Sequence, residues 1–128
     1  FRGNNHAFIT ARVALEKFWA DDAFQTGIKE RAEVLHDRLT EIAEIVPGAT
    51  LKGRGMMQGI DVGSGDLASA ICATCFEHGL IIETSGAHDE VVKVLAPLTI
   101  PMEQLKAGLD ILEDATRAHS QNHKIAAE

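Results

Sequence analysis

A change of hydrophobic period at Pro47–Gly48 constrains this chain more than any other feature. Before it, Phe24, Ile28, Ala32, Leu35, Leu39, Ile42 and Val46 recur in steps of three and four, which is one stripe of a helix, and KERAEVLHDR supplies charges for the other face. After it, ATLKGRGMMQGIDV is short, rich in Gly and bounded by turns, the pattern of two strands joined around Gly53–Gly55. A stripe of period 3.6 followed by paired strands requires a helix stacked on a sheet, so the expected class is α+β.

The flanking segments extend that scheme. Asn4 and Asn5 are N-cap residues for a first helix in which Phe8, Ala11, Leu15 and Phe18 share one face. Ile9, Val13 and Trp19 put apolar groups on its other faces, so this helix asks to be covered on several sides. The long second helix starts near Asp21–Asp22 and ends at Pro47–Gly48. Asp66 is expected to cap a third helix, LASAICATCFEH, lined by Leu67, Ile71 and Phe76 and stopped by Gly79. Leu80–Ile82 and Val91–Leu95 have strand length and composition, with ETSGAHDE between them, and Pro101 introduces a last helix bearing Leu105, Leu109 and Leu112. From His119 the chain is polar and is expected to fray. The order is α-α-β-β-α-β-β-α without an internal repeat, with the helices packed on one sheet.

Length and charge narrow the function. With 128 residues there is room for one domain with a modest core. A formal charge of −7 with no block of Lys and Arg argues against a nucleic-acid surface, because phosphate binding needs clustered cations. No apolar run approaches the roughly 20 residues that span a bilayer. Small molecules or proteins are therefore the expected partners. Cys72 and Cys75 are the only cysteines, which sets the expectation of a reducing cytoplasm.

Several residues could carry chemistry, and each has a plainer explanation. Cys72 and Cys75 have the Cys-x-x-Cys spacing of redox and zinc sites. They lie about two turns into their helix and no second pair exists, so packed cysteines are the expectation. His119 and His123 have the i, i+4 spacing of a helical metal pair without a third ligand, and are expected to be solvated, so no metal site is expected. Arg54, between Gly53 and Gly55, belongs either to a structural hairpin or to a ligand loop. Lys93, inside VVKVLAPLTI, sits either on an edge strand that repels further strands or where it holds an anion near the end of the sheet. Finally, the run RGNN leading into a helix is either a simple helix start or a set of backbone N–H groups for a phosphate.

Taken together and in order, FRGNNHAF, KGRGMMQGIDVG, HGLIIETSG and VVKVLAPLTIP resemble the C-terminal part of the class III pyridoxal-phosphate aminotransferases over nearly the whole chain. That family carries a Thr-Phe-x-Gly-Asn motif, a Gly-x-Gly-Leu-Met type hairpin and a late Pro-Leu-Thr-Ile strand end. Phe1-Arg2-Gly3-Asn4-Asn5, in place of the commoner Phe-Gly-Gly-Asn-Pro, is similar to the branch that makes 2,4-diaminobutyrate in ectoine biosynthesis.

The resemblance implies a fold-type I small domain and an activity that moves an amino group from glutamate to aspartate 4-semialdehyde, giving 2,4-diaminobutyrate and 2-oxoglutarate, with pyridoxal 5'-phosphate as cofactor. It implies that the Schiff-base lysine lies upstream of Phe1, so that no catalytic residue is expected in this chain and the chain alone should be inactive. Phe1, Arg2, Gly3 and Asn4 would be the tail of the cofactor's phosphate loop, supplied across a subunit interface. Residues 1–20 would link to the protein's own large domain, 21–118 would be the small domain, and 119–128 a polar tail. Lys93 stands where many members have an Arg for the substrate carboxylate, and an ammonium offers a point charge in place of a bidentate grip. The competing expectation is a free-standing α+β ligand-binding or regulatory domain, which the element order alone permits.

Overall fold

The computed structural model describes residues 3–126, and side chains through residue 120. The elements are α1 (Asn5–Phe18), α2 (Ala23–Ala43), β1 (Thr50–Arg54), β2 (Met57–Asp61), α3 (Gly65–Glu77), β3 (Glu83–Ser85), β4 (Val91–Leu95) and α4 (Met102–Ala126). This is the α+β order expected from the sequence. The four strands form one antiparallel sheet in the order β1-β2-β4-β3.

The core lies on one face of that sheet. Leu35, Leu39 and Ile42 of α2, Ile71 and Cys75 of α3, and Leu105, Leu109 and Leu112 of α4 are buried against Ile60 and Val92. α2 lies against β1 and β2, α3 against β3 and β4, and α4 packs on both helices. Strand side chains alternate between faces, so Leu51, Gln58, Ile60, Val92 and Val94 look toward the helices. Their neighbours Lys52, Arg54, Met57, Asp61, Lys93 and Leu95 look away, onto a face that no helix covers.

α2 ends at Ala43, short of Pro47. Val46 still reaches the core, because bonds from the Ile45 and Val46 amides to the Ile42 and Ala43 carbonyls, both 3.1 Å, tighten the exit into a turn.

Four local expectations are corrected. The N-cap of α3 is Ser64, whose Oγ accepts from the Leu67 amide at 3.3 Å; Asp66 sits in the first turn, where its charge suits the positive end of the helix dipole. Phe76 is 67% exposed and takes no part in the core, which α3 builds from Leu67, Ala68, Ile71 and Cys75. The strand expected at Leu80–Ile82 is displaced to Glu83–Ser85. Its cause is the end of α3, where Gly79 (φ +87°) lets the Gly79 and Leu80 amides bond back to the Phe76 and Cys75 carbonyls at 3.0 and 2.9 Å. With Leu80 tied to the helix, the ladder to β4 begins only at Glu83. Lastly, α4 does not stop at His119. The His119 ring is bonded to Thr74 Oγ1 at 2.8 Å, and buried Ser120 donates to the Ile45 carbonyl at 2.8 Å, so these two residues anchor α4 to α3 and to the exit of α2.

α1 stands apart, with none of its residues buried. Phe8, Ile9, Val13 and Leu15 are each more than half exposed. Its C-terminal end meets α2 through Phe18 and Trp19, whose rings lie 5.0 and 5.2 Å from that of Phe24.

Candidate functional site

β4 is an interior strand, flanked by β2 and β3, which removes the edge-strand explanation of Lys93. The register sets Lys93 opposite Gly59 on one side and Glu83 on the other. Lys93 Nζ lies 3.6 Å from Glu83 Oε2, with the lysine side chain 27% and the glutamate side chain 79% exposed. The cation is thus held against the sheet while its counter-ion stands in water. On the opposite side Gly59 presents no side chain. A Cβ there would sit 2.6 Å from the Val92 carbonyl oxygen and 2.9 Å from a Val91 methyl, so the close approach of β2 to β4 excludes any other residue.

Further along the same face Lys52 pairs with Asp61 at 3.4 Å, and Met57 and Leu95 are about three-fifths exposed. Arg54 closes the row at the hairpin tip, where Met56 turns inward and is buried. An apolar cleft of about 270 Å³ opens beside Lys93, between the stretch Leu80–Glu83, the end of β4 and the Leu105–Leu112 side of α4. An ammonium held against the sheet, 27% exposed, can bind a carboxylate as a point charge.

The hairpin itself is braced from the core side. Gln58, 4% exposed, donates to the Gly55 carbonyl at 2.7 Å and the Ala32 carbonyl at 3.4 Å and lies 3.0 Å from His36 Nδ1. This network fixes the turn that carries Arg54.

Of the residues expected at a phosphate loop, Phe1 and Arg2 lie outside the described residues. Gly3 has φ +83°, and Asn4 is the N-cap of α1, its Oδ1 accepting from the His6 and Ala7 amides at 2.9 and 3.4 Å. The Asn4 side chain is therefore spent on its own helix, and what remains for an anion at this end is backbone N–H and the helix dipole. Asn4 bonds locally and Lys93 bonds within the sheet, so no interaction among the described residues joins the two.

The surroundings of the two cysteines disfavour thiolate formation. Burial pushes the Cys75 thiol up to about 11, reinforced by Cys72, and burial followed by the Glu83 charge raises Cys72 as well. Both shifts oppose the thiolate that exchange chemistry needs. The His119–Thr74 bond replaces the expected solvated histidine; the side chain of His123 lies outside the described ones. No cluster of three metal-ligating side chains occurs among the described residues. In the sequence Glu83 opens the loop ETSGAHDE and carries no signal of a site; the strand register puts it beside Lys93.

Comparison with known proteins gives these residues a family. The model of the family "Aminotransferase class-III" matches residues 1–116. A diaminobutyrate–2-oxoglutarate transaminase of Halomonas elongata is 51% identical over 121 residues, covering 91% of this chain and 29% of the relative. One from Vibrio cholerae is 52% identical over 115 residues, covering 88% of this chain and 28% of the relative. Among solved structures, N-acetylornithine aminotransferase from Stenotrophomonas maltophilia superposes with a TM-score of 0.73 at 30% identity, over 98% of this chain and 33% of that one. The chain thus spans less than a third of the length of the relatives it matches. With the family model matched over residues 1–116, the chain belongs to the class III aminotransferases.

Proposed function

We propose that this chain is the C-terminal part of a pyridoxal-phosphate-dependent transaminase that moves an amino group from glutamate to aspartate 4-semialdehyde, forming 2,4-diaminobutyrate and 2-oxoglutarate, as in ectoine biosynthesis. The observation that carries the reading is identity of about half over nine-tenths of the chain to transaminases of that name. Bound pyridoxal phosphate supplies the electron sink for amino transfer, and the lysine that holds it belongs to the part of the protein upstream of Phe1.

This chain's own residues bind and position. Lys93 holds a substrate carboxylate, fixed by an interior strand with a ladder on both sides. In this reading the glycine-led start of α1 at Gly3 and Asn4 serves the cofactor phosphate of a second subunit with backbone N–H groups. α1 lies between large and small domains and across a homo-oligomer contact, which accounts for its exposed Phe8, Ile9, Val13 and Leu15. The same unpartnered helix disfavours a free-standing domain. No helix among the described residues is long and apolar enough to cross a membrane.

The test is Lys93→Met in the full-length enzyme. A hydrogen bond to a charged group contributes roughly 1.5–3 kcal/mol, so the KM for glutamate should rise, or kcat/KM fall, by about ten- to a hundredfold. Folding should be little changed, because the aliphatic stem is kept. Unchanged kinetics with both glutamate and the semialdehyde would remove Lys93 from the binding site.

A further inference from the structure

We propose that Arg31 sets the chain-length selectivity of the substrate site by clamping one wall of the apolar cleft beside Lys93. It is a positioning residue, acting through the backbone of that wall. The inference rests on the reading of Lys93 as the carboxylate-binding group and adds a role for a residue on a different element.

The β3–β4 ladder ends at the Glu83–Lys93 pair, so past Lys93 the two walls of the cleft are not joined by sheet pairing. Each wall is fixed from elsewhere. The Leu80 side is tied to the end of α3, the Leu80 amide bonding to the Cys75 carbonyl at 2.9 Å. The facing side is the connection from β4 to α4, from which Ala96, Pro97 and Ile100 line the cleft. The backbone bond within that connection is local, from the Ile100 amide to the Pro97 carbonyl at 3.0 Å. Arg31 of α2 reaches it from outside, its Nε donating to the Ile100 carbonyl at 2.7 Å. Among the described residues this is the one hydrogen bond that ties the turn Pro97–Ile100 to another element.

The surroundings of Arg31 suit a clamp. Its side chain is half-buried and has no carboxylate within ion-pair range among the described residues. It spends its donors on carbonyls, that of Ile100 and, one turn back in its own helix, that of Gly27. Gly27 leaves the seat open, because a Cβ there would stand 2.8 Å from a guanidinium nitrogen. The planar, pre-organised fork loses little rotamer freedom per bond formed, and a charged donor strengthens each bond. Held in this way, the Pro97–Ile100 wall keeps a fixed distance from Lys93. A substrate anchored at Lys93 then lays its methylene chain along an apolar surface of fixed shape, and a longer homologue must push the wall outward or bind out of place.

The experiment compares 2,4-diaminobutyrate with ornithine, its homologue longer by one methylene, as amino donors to 2-oxoglutarate in the full-length holoenzyme. Arg31→Met keeps an aliphatic stem and removes the donors. It should narrow the kcat/KM preference for 2,4-diaminobutyrate by about three- to tenfold, part of what one methylene is worth in a fitted pocket. Arg31→Lys, which still carries a charged donor for the Ile100 carbonyl, should keep more of the preference. Hydrogen exchange at the Ile100 amide should speed up in Arg31→Met as the turn is released. A merely structural Arg31 would lower the midpoint of unfolding and treat both donors alike, so an unchanged ratio overturns the proposal whether or not exchange speeds up. Lys93→Met separates the two readings. If it weakens both donors while Arg31→Met leaves the ratio where it was, the Arg31 proposal falls and Lys93 keeps its role. If Lys93→Met leaves both donors unaffected, the reading of Lys93 falls and the Arg31 proposal falls with it.

Discussion

Arg38 ties α2 to α4, and its removal gives a stability change that can be worked out from the contacts. One guanidinium nitrogen donates to Asp110 Oδ1 at 2.8 Å and Glu113 Oε2 at 2.9 Å, and Nε lies 3.5 Å from Glu41 Oε2. Arg38→Met keeps the stem and deletes these bonds. Neither acid is stranded by the change. Asp110 is 63% exposed, so water replaces the lost donor, and Glu113 retains Arg117 at 2.6 Å. The loss is therefore that of partly exposed charged hydrogen bonds, about 1–2 kcal/mol, well short of the ~3–5 kcal/mol for breaking a fully buried pair.

At roughly 4 °C per kcal/mol for a chain of this size, the midpoint of thermal unfolding should fall by about 4–8 °C. The loss should also depend on pH. Glu113 is held below the usual carboxylate range, first by its hydrogen bond from Arg117 and then by the charges of Arg117 and Arg38. A carboxylate whose folded pKa is depressed stabilises the fold above its unfolded pKa and loses that contribution as pH falls through the folded value. The gap between wild type and Arg38→Met should thus be full at pH 7 and narrow as pH falls through the depressed Glu113 value. Urea titrations of both proteins at pH 7 and pH 3 measure it. A cost below about 0.3 kcal/mol at pH 7, or one that persists undiminished at pH 3, would refute the assignment to these ion pairs.

Other outcomes follow from the same contacts. The chain alone, incubated with pyridoxal phosphate and reduced with borohydride, should show no stoichiometric labelling of a single lysine and no turnover of glutamate; peptide mapping decides this. α1, with Phe8, Ile9, Val13 and Leu15 exposed, should drive self-association of the isolated chain, seen as a concentration-dependent sedimentation coefficient and a blue-shifted Trp19 emission. A strict monomer at high concentration with α1 folded would contradict this. Cys75, its thiol pushed up to about 11, should react with iodoacetamide far more slowly at pH 7.5 than an unperturbed thiol, and faster only as pH rises toward that value.

How much of the fold could be seen in the sequence depended on whether the determining contact was local. The stripe of Leu35, Leu39 and Ile42 needs only a period of 3.6, and these residues are fully buried. The Gly53–Gly55 hairpin is similarly local, a turn between adjacent strands. The position of β3 was not legible, because Leu80–Ile82 has strand composition but its start is held by the C-terminal hydrogen bonds of α3. The anchoring of α4 was hidden for a like reason: the partners of His119 and Ser120 are 45 and 75 residues away.

The candidate site shows the same division. VVKVL reads as an apolar strand interrupted by one cation, and sequence alone leaves open what the interruption is for. The sheet order answers part of this by putting β2 on one side of β4 and β3 on the other. Alternation answers the rest: Val92 faces the core, whereas Val91, Lys93 and Leu95 share the face without helices. That face is not a typical solvated one, since Leu95 is 61% exposed and its cross-strand neighbour Met57 is 58% exposed. Apolar residues placed around a lysine on an uncovered sheet lower stability in water and gain it only when another surface closes over them. Closure would also remove the water that screens Lys93, which strengthens its hold on a carboxylate.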